Sequence, residues 1–171
     1  MAKRHCLKLG VYNGYVMMAT NHMLAGAVVA VGIQRPLLIA PLAFASHFIL
    51  DILPHFGVHH GDSVRRNKHP LFQYLIVIDI LLTTTLLVML PSILQGAVSW
   101  RVLLLGMVLA FIPDLTWIYH FFYGLWSKKK LEISRLTRFH ERIQWGERPW
   151  GVAVELVWFG SMGVLLGVLA T

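Results

Sequence analysis

Residues 71–94 read LFQYLIVIDILLTTTLLVMLPSIL. These 24 residues contain one acid, Asp79, and no lysine or arginine. Roughly 20 consecutive apolar residues cross the hydrocarbon core of a bilayer as a helix, so this stretch is long enough to span one. Its apolar character is continuous and lacks the alternation that a membrane β-strand requires. Comparable runs occupy residues 36–53, residues 102–113 continuing through 116–126, and residues 151–170. A weaker run, residues 23–33, follows a mixed stretch that begins at Val11. The pattern predicts an all-α, polytopic membrane protein with about five transmembrane helices, the first marginal in length unless residues 11–19 extend it. Residues 1–18 read as an N-terminal cytoplasmic arm and residues 19–171 as a single membrane-embedded helical domain.

The composition agrees. Of 171 residues, 57% are hydrophobic and 13% charged, with mean hydropathy +0.64; soluble domains run at roughly 45–50% and about 25%. Disorder, a disulfide scaffold and a water-exposed nucleic-acid module each need polar surface or cysteines that this chain lacks, and no nucleic-acid partner is expected. Cys6, the only cysteine, has no intramolecular partner. An N-terminal charged segment (Lys3, Arg4, Lys8) before residues 23–33 has the outline of a signal peptide. No convincing small-x-small cleavage site follows the apolar run before Gln34-Arg35-Pro36, so the segment is expected to be retained.

The fifteen lysines and arginines all lie outside the apolar runs. With five spans, Lys3, Arg4, Lys8, Arg65, Arg66, Lys68 and the seven between residues 128 and 148 fall on one side, leaving Arg35 and Arg101 on the other. The positive-inside tendency then puts the N-terminus in the cytoplasm and the C-terminus outside, in the inner (plasma) membrane. The connection 127–149 is too polar to cross lipid yet retains Leu131, Ile133, Leu136, Phe139 and Ile143. Their spacing predicts an amphipathic helix at the cytoplasmic interface, with membrane lipids as partners and a basic face toward anionic headgroups.

Four of the eight acids lie within or at the ends of the apolar runs: Asp51, Asp79, Asp114 and Glu155. A carboxylate in lipid is costly and calls for a partner or a function. The segment His47-Phe-Ile-Leu-Asp51-Ile-Leu-Pro-His55 has H-x3-D-x3-H spacing. Residues four apart on a helix lie on one face, about 40° round and roughly 6 Å along, so His47 with Asp51, or Asp51 with His55, can grip one ion. Either Pro54 bends the chain and brings His55 back, or Asp51 bridges two ions. Pro113-Asp114 followed by His120 forms a second acid-histidine pair, and His22 and His140 are further candidate ligands. The predicted topology puts all of them, with Asp79 and Glu155, at the cytoplasmic side. A metal site of His22, His47, Asp51, His55, Asp114, His120 and His140 follows as an expectation, with zinc the favoured ion for a nitrogen and oxygen donor set. Asp79 and Glu155 are each open to three roles, as a ligand, a general base or a carboxylate that orients a histidine; in a catalytic site they are the candidate general bases. His59, His60 and His69 read as loop residues and His5 as incidental.

Thr20-Asn21-His22 with Gly26, Ser46-His47 through Leu50-Asp51 to Pro54-His55, Pro113-Asp114, and Phe139-His140 with Gln144-Trp145 carry a resemblance that covers residues 20–150. In them the chain resembles the bacterial inner-membrane metal-dependent hydrolases related to the LexA-regulated YdjM-type proteins, themselves distantly similar to zinc-dependent phospholipase C and the fungal single-strand nucleases. The resemblance implies that His22, His47, Asp51, His55 and Asp114 bind metal. The family's Pro-Asp-x-Asp-His run appears here as Pro113-Asp114-Leu-Thr-Trp, without the second Asp and the His. The expected function is membrane-embedded, metal-dependent hydrolysis of a phosphoester or lipid-linked substrate at the cytoplasmic interface. A non-catalytic, metal-stabilised scaffold and an ion- or proton-coupled transporter are the alternatives.

Overall fold

The computed structural model describes residues 17–56, 70–116, 119, 134–143, 146–148 and 150–171. The N-terminal arm up to residue 16, the loop histidines 59, 60 and 69, and His120 lie outside the described residues. Helix α1 (Ala19–Ile33) stops where Gln34 turns left-handed at φ 55° and its amide bonds back to the Ala30 carbonyl. Pro36 then opens α2 (Pro36–Ile52) at a position where its missing N–H costs nothing. Pro54 ends α2, because a residue before proline is pushed out of the helical region, and Leu53 sits at φ −69°, ψ 151°. Beyond it, β1 (His55–Phe56) pairs in parallel with β2 (Glu147–Arg148), His55 opposite Glu147. This short ladder was not part of the all-helical expectation. The other elements are α3 (Pro70–Ile93), α4 (Trp100–Phe111) with a 3-10 turn at Ile112–Asp114, α5 (Arg135–Ile143) and α6 (Gly151–Leu169).

Helix α1 lies at the centre and packs against α2, α3, α4 and α6. Its tightest neighbour is α4. A Cβ on Gly26 would run into the Gly106 carbonyl and come within 2.9 Å of the Ala110 Cβ, and a Cβ on Gly106 would meet the Gly26 carbonyl and the Ala30 Cβ. Two backbones in this contact gain dispersion energy without side chains between them, the usual way helices associate where there is little water to expel. Met23, Leu24, Ala27, Ile39, Leu103 and Met107 complete the core around this crossing.

Among the described residues, two of the five apolar helices are long and apolar enough to cross a membrane, α3 over residues 73–93 and α6 over its 19 residues. Their outer faces are aliphatic and open, with Val88, Ile93, Leu156, Val157 and Val164 all about two-thirds or more exposed. Helices α1, α2 and α4 have 15, 17 and 12 residues. At 1.5 Å per residue these reach about 22, 25 and 18 Å, short of a hydrocarbon core of about 30 Å. Among the described residues, two of the five spans expected from the sequence thus reach full length; Gln34 and Pro54 close α1 and α2 at the ends of their apolar runs, and the fourth run's continuation past residue 119 lies outside the described residues.

Candidate metal centre

His22 lies in the first turn of α1, His47 and Asp51 one turn apart on α2, Asp114 in the 3-10 turn after α4, and His140 on α5. All five side chains are buried. The Nε2 atoms of the three histidines meet the two carboxylates from three sides. Asp51 Oδ2 is 2.6 Å from His140 Nε2 and 3.2 Å from His47 Nε2, and Asp51 Oδ1 is 3.4 Å from His22 Nε2. Asp114 lies 3.6 Å from His47, 3.9 Å from His140 and 4.0 Å from His22. The rings of His22 and His47 stack with centroids 4.0 Å apart.

The chemistry of these donors fits a cation. His47 Nδ1 lies 2.8 Å from the Ala110 carbonyl, which only accepts, so Nδ1 carries the proton and Nε2 presents its lone pair to the cluster. Metal-binding histidines are commonly fixed in this way through the other ring nitrogen. His47 Nε2 then stands 3.1 Å from His140 Nε2, a spacing that needs a proton or a cation between the two nitrogens. Among the described residues, His22 Nε2, Asp51 Oδ1 and both Asp114 oxygens are buried without a hydrogen-bond partner, and burying such groups unsatisfied costs a few kcal/mol each. Donors about 2.05 Å from a tetrahedral zinc ion lie about 3.3 Å apart, in the middle of the spacings found here. Two overlapping groups, His22 with His47 and Asp51, and His47 with Asp114 and His140, could each hold a metal ion. No protein-family model, curated protein or solved structure matches this chain.

Asp79 and Glu155, expected as candidate bases, stand outside both groups and bind backbone instead. Helix α1 starts without a side-chain cap of its own. Asp79 Oδ2 accepts the Ala19 amide at 2.8 Å, and Oδ1 accepts the Thr20 amide at 3.0 Å and the Thr20 hydroxyl, which also meets Thr83 Oγ1 at 3.1 Å. Glu155 Oε2 accepts the Met18 amide at 3.2 Å and the Asn21 side-chain amide at 3.4 Å, while Oε1 takes the Phe56 amide at 2.9 Å. Two carboxylates thus satisfy the free amides and the positive end of the α1 dipole, and in doing so fix the turn that carries His22. Removing both oxygens with Asp79→Ala should lower stability in detergent unfolding by about 3 kcal/mol and weaken metal binding together with it. An alanine variant of full stability would show that the carboxylate does not anchor α1.

His55 is buried but lies outside the two groups. The helix that would have stacked it over Asp51 ends at Ile52, and its Nδ1 donates to the Leu53 carbonyl at 2.9 Å. Gly151 lies so close to His55 that any side chain there would strike its backbone, which brings the start of α6 and Glu155 up against β1. The supporting parts absent from the sequence reading are the Ala110 carbonyl and the amides of Met18, Ala19 and Thr20. Backbone groups have no residue signature; only the Thr20-Asn21 pair hinted at a helix start.

Proposed function

We propose that the chain is a membrane-embedded, divalent-metal-dependent hydrolase acting on a phosphoester or lipid-linked substrate at the cytoplasmic end of its helix bundle. The observation that carries this reading is the meeting of three histidine Nε2 atoms and two aspartates, from four separate parts of the chain, with lone pairs left unsatisfied. An all nitrogen and oxygen donor set suits zinc. When bound, such an ion supplies Lewis-acid polarisation of an ester oxygen and a more acidic water. The chain's part is to orient the donors: Ala110 sets the His47 tautomer, and Asp79 and Glu155 hold the turn bearing His22. The likeness to the YdjM-type hydrolases supports the same reading. So does the arrangement of the polar residues, which sit at the start of α1, the end of α2, the end of α4 and the start of α6, one end of an up-and-down arrangement. On this reading α1, α2 and α4 also lie in the bilayer, the N-terminus is cytoplasmic and the C-terminus lies outside.

The deciding experiment is elemental analysis of detergent-purified protein, followed by turnover of phospholipid and nucleotide phosphoesters with and without a chelator. About one equivalent or more of divalent metal and chelator-sensitive turnover are expected; protein that holds no stoichiometric metal overturns the proposal. One observation favours a second reading, a metal-stabilised scaffold. Both oxygens of Asp79 and of Glu155 are committed to backbone amides, so neither of the expected general bases stands free beside the centre. Tight metal without turnover on any ester would select the scaffold.

A further inference from the structure

Helix α5, RLTRFHERI, faces two ways. His140 is 3% exposed and belongs to the metal-capable group, whereas Arg135, Arg138 and Arg142 are exposed. At 3.6 residues per turn the three arginines lie about 140–160° round the helix from His140. Leu136 and Phe139, 41% and 50% exposed, occupy one flank between the two faces. The helix meets α2 through His140, 2.6 Å from Asp51, and through Phe139, whose ring stands edge-on to Phe48 with centroids 5.4 Å apart.

Nine residues do not sustain a helix alone in water, so α5 exists only while something stabilises it. Arginines opposite an apolar flank are the composition of a helix lying in a lipid headgroup layer. We infer that α5 is a lipid-responsive clamp: the phosphates of an anionic phospholipid surface engage Arg135, Arg138 and Arg142 on its outer face and, by ordering the helix, deliver His140 to the metal centre. The inference rests on the metal-centre reading and adds regulation of that centre by bilayer charge. A bilayer fits better than a soluble polyanion for two reasons. The Leu136 and Phe139 flank needs an apolar phase, and the chain enters α6, long enough to cross a membrane, at Gly151. Metal and lipid stabilise the same ordered helix, so each tightens the binding of the other by the same factor.

The test uses the full chain in nanodiscs of phosphatidylcholine, with or without phosphatidylglycerol, and measures Zn²⁺ affinity by competition with a chelating dye. Zn²⁺ is expected to bind about tenfold more tightly in the anionic discs, each arginine adding to the coupling. The difference should shrink as salt is raised, a comparison that needs no variant. It should vanish in the R135Q/R138Q/R142Q variant. Equal affinity of the wild-type protein in the two bilayers overturns the inference and leaves the metal centre standing, whereas no Zn²⁺ binding in either overturns both. A short DNA duplex that reproduces the tightening in phosphatidylcholine discs would assign the face to polyanions in general and overturn the lipid assignment.

Discussion

Gly26→Ala is expected to cost about 3 kcal/mol of stability and Gly26→Val to prevent folding, whereas Gly160→Ala should leave stability unchanged or slightly raised. The contrast comes from what a methyl group would meet. At Gly26 it enters the Gly106 backbone, which has no rotamer to change and can yield only if α1 and α4 move apart. At Gly160, and equally at Gly163 and Gly167, it enters open space on the outer face of α6. Separation of α1 and α4 also reaches the metal centre. Gly26 lies one turn after His22, and Gly106 one turn before Ala110, whose carbonyl holds the His47 ring. A widened crossing draws His22 away from His47, so Gly26→Ala should weaken Zn²⁺ binding as well as the fold. Unfolding of the variants in mixed micelles, with and without Zn²⁺, measures both effects. Equal tolerance of alanine at positions 26 and 160 would refute the close crossing.

Which parts of the centre were legible in the sequence follows from what fixes each part. His47 and Asp51 are joined by one turn of helix, so their meeting is a local property that spacing alone reveals. His22, Asp114 and His140 were legible through depth: each sits at a run end, or in a connection, that charge topology assigns to one side. His55 lies outside the two groups because Pro54 stops the helix and the chain continues into β1 instead of bending His55 back toward Asp51. Asp79 and Glu155 were rightly marked as acids in need of a partner, but that partner is backbone, 59 or more residues away in sequence, and an amide looks the same at every position. Among the described residues two helices, not five, reach the length of a span, for a related reason. Apolar composition records what a segment can dissolve in, while the Gln34 and Pro54 breaks decide how much of it is one straight helix.

Asp51→Asn should lower Zn²⁺ affinity by more than about 100-fold, the upper range for losing a residue that merely orients a ligand. The substitution keeps shape and removes only charge and one lone-pair oxygen. Asp51 is the residue within 3.4 Å of all three histidines, so no neighbour can take its place. A metal at about a thousand times its dissociation constant stabilises a folded protein by about 4 kcal/mol, so wild-type protein should gain a large increase in unfolding temperature on adding Zn²⁺ and lose it to a chelator. The asparagine variant should show neither response. If the cluster were only a hydrogen-bonded network, asparagine could still accept from His140, and the variant would sit within about 1–2 kcal/mol of wild type with or without Zn²⁺. The two accounts therefore differ in the response to metal rather than in stability alone. Asp114, 3.6 Å or more from each histidine, should give a smaller loss when replaced by asparagine. Once Asp51 is gone the second substitution should add little, because residues that hold one ion act as a unit. Additive losses in the double variant would instead indicate two independent ions, one for each overlapping group.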